Sequence, residues 1–238
     1  MHYFPFALPF FLALLLFFAF VVVLVELRIL QYAFEKVGVD RRYIFLLLLF
    51  SIFGSYINIP VAQLPPEHMV AHKIVDFFGM QYVIPQMTTR AGTVIAVNVG
   101  GAIIPVILSL YLIMKNRLYL KGMLAVGVVT AIVHRMAYPV PGLGIATPSF
   151  VPPLVAAIAA LFISRQHAAP LAYIAGSMGT LIGADLLNLG KVQGLGAPIA
   201  SIGGAGKFDG IFLTGIIAVL LASVVIRNRP PFTRKSRG

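Results

Sequence analysis

Asp185 and Asp209 stand at the facing ends of two apolar segments, each beside a run of glycines. The stretch reads GTLIGADLLNLG (179–190), then a Gly/Pro/Ala-rich link, then GGAGKFDGIFLTG (203–215). These are two of only seven acidic residues in the chain. A carboxylate held within a bilayer costs at least about 2.5 kcal/mol on insertion scales, so its presence there argues for a use. Two carboxylates within a few ångströms do not both ionise readily; one keeps a proton while the other loses it. Such a pair activates a water and protonates a leaving amine with no cofactor. Gly203, Gly204, Gly206 and Gly210 lack the side chains that would keep an unwound substrate strand from approaching closely.

Elements that hold this pair must be membrane helices. The chain has 238 residues, of which 60% are hydrophobic and only 11% charged. A soluble domain carries roughly 25% charged residues. Apolar runs near the roughly 20 residues needed to span a bilayer fall at 5–27, 43–63, 91–114, 119–138, 148–164, 170–189 and 209–226. They predict an all-α polytopic transmembrane helix bundle of seven spans. The first run is too long for a signal-peptide core and no basic stretch precedes it, so it reads as a retained first span. Pro148, Pro152 and Pro153 suit the start of the fifth helix. The sixth is rich in Gly and Ala and carries an acid, which predicts burial inside the bundle.

Lys and Arg set the orientation. With the N-terminus outside, the inner segments hold 13 of the 18 basic residues and the outer segments hold five. The positive-inside rule then places the C-terminus and its basic tail, 227–238, in the cytoplasm, attracted to anionic lipid. Asp185 and Asp209 fall at similar depth near the outer face, on consecutive spans expected to pack as antiparallel neighbours. The net charge of +11 is topology, not a sign of nucleic acid. The longest connection, 64–90, lies outside, and Glu67–Phe78 within it reads as an amphipathic surface helix.

The aspartate motifs resemble those of the intramembrane aspartyl proteases, presenilin and signal peptide peptidase. That family places one Asp on a helix and a second in Gly-x-Gly-Asp at the start of the next. Asp185-Leu-Leu resembles the first element. Gly206-Lys207-Phe208-Asp209-Gly210 resembles the second. The resemblance implies that Asp185 and Asp209 form a catalytic dyad acting on transmembrane helices or membrane-embedded peptides. It covers about 179–220. Phe208 replaces the second motif Gly, Ala184 replaces an aromatic residue, and the family's nine helices and Pro-Ala-Leu element have no counterpart. As a whole, the chain resembles an uncharacterised family of archaeal and bacterial multi-pass membrane proteins.

Two other constellations compete. Asn98, His134 and Arg135, with the aspartates, line a polar cavity in a transporter or channel reading, where the acids carry protons or cations. Arg135 or His134 as an ion-pair partner of Asp185 would instead make that acid structural, in a scaffold without enzymatic activity. His68, His72 and Asp76 fall at i, i+4 and i+8, one face of a helix, which is a weak metal site. With no cysteine in the chain, thiolate catalysis and Cys-based metal sites are excluded. No phosphate-binding or dinucleotide motif is present, and no cofactor is expected. The Gly-Gly-Ala in NVGGAIIP (98–105) echoes SIGGAGKF (201–208). Oligomeric state is not legible.

Overall fold

The computed structural model describes residues 7–77, 80–90, 92–142, 144–193, 195, 197–204 and 210–227. These residues are mostly helical, with seven α-helices: α1 (Ala7–Val37), α2 (Arg41–Gly54), α3 (Ile104–Lys115), α4 (Tyr119–Met136), α5 (Val151–Ile163), α6 (Ala168–Thr180) and α7 (Gly210–Arg227). Each overlaps one apolar run. Three stretches, Phe11–Val37, Tyr119–Met136 and Ala168–Lys191, are long and apolar enough to cross a membrane. α5, with 13 residues, is about 20 Å long at 1.5 Å per residue, short of a hydrocarbon core of about 30 Å.

Local chemistry explains the helix ends. α1 runs on past the expected boundary to Val37. It closes in a Schellman turn, with Gly38 N–H donating to Glu35 and Val39 N–H to Phe34. Asp40 then caps α2 by accepting from Arg42 N–H. Pro152 and Pro153 occupy the first turn of α5, as their fixed φ favours.

α6 is the central helix. Nearly every residue from Ala168 to Thr180 is buried, beneath α3, α4, α5 and α7, in line with its Gly/Ala composition. Lipid removes the hydrophobic drive between helices, so close backbone approach through small residues carries the packing. A Cβ at Gly179 would sit 2.6 Å from Val129 Cβ, and one at Gly183 2.7 Å from the Thr130 carbonyl oxygen. This glycine pair seats α4 against α6 and its extension.

The second and third apolar runs are not continuous helices. β1 (Asn58–Gln63) and β4 (Val94–Asn98) are strands, paired antiparallel with Asn58 opposite Asn98. Pro60 disfavours helix at itself and at Ile59, and Val94-Ile-Ala-Val is largely β-branched. β7 (Ile199–Ile202) joins β4 in parallel, giving the order β1-β4-β7. The strands that lead into the two Gly-Gly-Ala sequences, β4 and β7, thus lie side by side. A short hairpin of β5 (Tyr138–Val140) and β6 (Gly144–Ala146) precedes α5.

The amphipathic helix expected over 67–78 is also corrected. β2 (Glu67–Phe77) and β3 (Met80–Arg90) form an antiparallel hairpin with Glu67 opposite Arg90 and Phe77 opposite Met80. β-branched residues recur through both arms, at Val70, Ile74 and Val75 and at Val83, Ile84, Thr88 and Thr89. They favour a strand once the second arm supplies the partner.

Candidate functional site

α6 does not end cleanly. It passes into a π-helical turn, Leu181–Asp185, and then a 3-10 stretch, Leu186–Lys191. Such a turn frees carbonyls from the regular ladder. The fully buried Asn188 collects two of them, its Nδ2 donating to Gly183 O at 2.8 Å and Ala184 O at 2.9 Å. Asn188 therefore locks the turn that aims Asp185.

Asp185 Oδ2 accepts from Gly203 N–H at 2.7 Å, across 18 residues of sequence. Gly203 follows β7 with φ +90°. A Cβ there would lie 2.6 Å from Ala102 N and 2.7 Å from Ala102 Cβ. Backbone conformation and close approach both demand glycine. The carboxylate is thus held by a main-chain donor. Among the described residues the ion pair is Arg41–Glu35, so Arg135 does not pair with Asp185.

Asp185 lines a cavity of about 460 Å³. Its walls come from the loop before α5 (Thr147, Ser149), from α6 and its extension (Thr180, Asp185), from all four residues of β7, and from Gly204, Gly210 and Thr214. The volume is that of a small-molecule or short-peptide site. Thr214 Oγ1 donates to Gly210 O. Thr180 Oγ1 is buried with no protein partner among the described residues. Among the described residues β7 pairs with β4 along one edge, so the strand that borders the cavity is a sheet edge there.

Of the residues singled out from sequence, Asp185, Gly204 and Gly210 line this cavity, and Gly203 holds the carboxylate. Asp209 and Gly206 lie outside the described residues. Asn98, His134 and Arg135 are not among the cavity's lining residues. Asn98 is fully buried and caps a π-helical turn, Val99–Ile103. Its Oδ1 accepts from Gly101 N–H at 2.8 Å, and its Nδ2 donates to Ser55 O at 2.7 Å and Asn58 Oδ1 at 3.1 Å. Asn58 Oδ1 also accepts from Ser201 Oγ at 2.6 Å, so Asn98 pins the sheet to α2. His134 is half-buried and Arg135 exposed at the end of α4. The metal candidate His68, His72 and Asp76 sits on strand β2. Four residues of strand separate successive Cα atoms by about 13 Å, too far for one ion to gather all three.

Thr180, Asn188, Ser201 and Thr214 had no sequence signal of their own. Thr180 and Thr214 sit in apolar runs without a motif. β7 lies in what reads as a glycine-rich link.

No curated protein and no solved structure matches the chain. Residues 52–221 match the family described as "Protein of unknown function (DUF1614)". That segment takes in every element from the end of α2 to most of α7, including Asp185, the cavity and the three-stranded sheet; the chain belongs to the DUF1614 family.

Proposed function

We propose that this chain is an intramembrane di-aspartyl hydrolase acting on membrane-embedded peptides. In this reading it is a seven-pass protein of the plasma membrane, N-terminus outside, with transmembrane helices as substrates. One observation carries it: Asp185 and Gly210 are walls of the same cavity. Asp209 immediately precedes Gly210 in the sequence. The candidate second acid is thus the sequence neighbour of a residue that lines the cavity Asp185 enters.

The edge of β7 supports a peptide substrate. All four of its residues border the cavity, and a free strand edge accepts an extended segment through main-chain hydrogen bonds. A scissile bond laid along β7 would face Asp185. The ionised member of the pair takes a proton from water as oxygen attacks the carbonyl carbon. The protonated member gives its proton to the departing amide nitrogen.

A second reading, a transporter or channel with the aspartates as proton or cation sites, draws on one further observation. Two glycine-containing π turns, Val99–Ile103 and Leu181–Asp185, interrupt apolar segments. Broken helices of this kind serve ion and substrate sites in transporters.

The test is proteolysis in liposomes with a panel of single-span helical substrates, comparing wild type with Asp185→Asn and Asp209→Asn. Loss of at least about 10³-fold in rate with either variant, each still folded, is the expected result. Folded wild type that cleaves nothing, yet moves protons or cations in the same liposomes with Asp185 required, would replace the hydrolase by the transporter.

A further inference from the structure

α1 touches the bundle chiefly through its C-terminal part, where Ala33, Phe34 and Val37 are buried. Nearer its N-terminus it leaves a slot of about 480 Å³ along α7. The slot is an open, almost wholly apolar groove lined by Val21, Leu24, Val25, Arg28, Ile29 and Tyr32 of α1 and by Leu220 of α7. Val21 to Ile29 rises about 12 Å along a helix. Arg28 also lines a second cavity, of about 270 Å³, on the α2 side, with Gln31, Glu35 and Arg41. An apolar slot and a polar pocket therefore share one lining residue, Arg28.

The charges select the occupant. Glu35 is committed to Arg41 through Nε. Arg28 has no acid partner among the described residues. Two guanidiniums and one carboxylate leave the pocket with a net charge of +1, matching a single phosphodiester. Arg28 also lies just past the first apolar run, beside the basic inner segments, where anionic lipid is concentrated. A second copy docked here about a two-fold axis would bring its own Arg28 toward this one, a like-charge contact.

We propose that this junction binds one anionic phospholipid, its acyl chain in the slot between α1 and α7 and its phosphodiester on Arg28 in the pocket between α1 and α2. The site is separate from the Asp185 cavity and does not depend on the hydrolase reading. Gln31 supplies an amide for the ester or glycerol oxygens. The lipid would tie α1 to the bundle where protein contacts are sparse.

The experiment is thermal unfolding of the full chain in neutral-detergent micelles, titrated with phosphatidylglycerol, with phosphatidylcholine of the same chains, or with glycerol phosphate. Wild type should show a saturable rise in Tm with phosphatidylglycerol alone. Arg28→Gln should weaken that response about tenfold or more, because a charge-assisted phosphate contact is lost. Arg28→Lys should keep part of it. Val25→Trp, which fills the slot and spares the headgroup pocket, should weaken it as well; Val25 is 52% exposed, so the variant folds. Equal shifts with both lipids, or an unchanged preference in Arg28→Gln, overturn the proposal. A matching response to glycerol phosphate would make this a soluble-phosphate site and overturns it too. So would a dimer in wild type that Val25→Trp dissolves while phosphatidylglycerol has no effect.

Discussion

Replacing Gly203 by alanine should destabilise the protein by about 2–5 kcal/mol, from two separable causes. Its φ is +90°, and an L-residue in the left-handed region costs about 1–2 kcal/mol. The new Cβ would also lie 2.6 Å from Ala102 N and 2.7 Å from Ala102 Cβ. Both neighbours belong to a buried turn, so relieving the overlap requires backbone movement at a further cost of about 1–3 kcal/mol. Gly142 supplies the control: its φ is +79° and nothing lies within 4 Å of a built Cβ. Gly142→Ala should show the conformational cost alone. For a chain of this size 1 kcal/mol shifts Tm by about 2–4 °C. Thermal unfolding in detergent should therefore lower Tm by about 4–20 °C for Gly203→Ala and about 2–8 °C for Gly142→Ala. The same substitution moves the N–H that holds Asp185, so activity measured below the lowered Tm should also fall. Equal destabilisation of the two variants would refute the close approach of the β7 turn to Ala102, and with it the placement of Asp185.

Asp185→Asn keeps an oxygen for the Gly203 N–H; its stability should stay within about 1 kcal/mol of wild type by chemical unfolding, whereas Asp185→Leu should lose more by leaving that donor unpaired. Asn98→Ala removes three hydrogen bonds in a fully buried setting and should cost about 2–4 kcal/mol, read as a lower Tm with increased proteolytic nicking near 58–63. Arg117 ends α3 at φ +52°, with Arg117 N–H and Leu118 N–H completing a Schellman turn. Arg117→Gly should raise stability by about 1 kcal/mol, seen as a Tm gain of about 2–4 °C.

What the sequence by itself determined was the set of helices. Apolar run length is a local property, and each run overlaps a helix. The proline pair at the start of α5 and the Gly/Ala content of α6 likewise act through their own turns and neighbours. Strand against helix within 58–63 and 94–98 was a tertiary decision. A short apolar run satisfies either geometry, and the choice follows from partners 31 to 40 and 105 residues away. The hairpin over 67–90 has the same cause, since its first arm alone carries a helical face.

The site divides along the same line. Asp185 was legible because a carboxylate amid apolar residues is costly wherever the chain goes. The residues that surround it were not. Asn98 reads as a cavity residue and is instead a clamp on α2 and the sheet. Asn188 gains its role from the π turn whose carbonyls it collects, Ser201 from Asn58, 143 residues away, and Thr180 from the cavity it shares with β7. Gly203 illustrates both levels. Its type is written in the sequence, but its necessity comes from Ala102, about a hundred residues earlier, occupying the space where a side chain would go. Burial cost is paid residue by residue and can be read locally; hydrogen-bond partners and excluded volume exist only between segments that folding brings together.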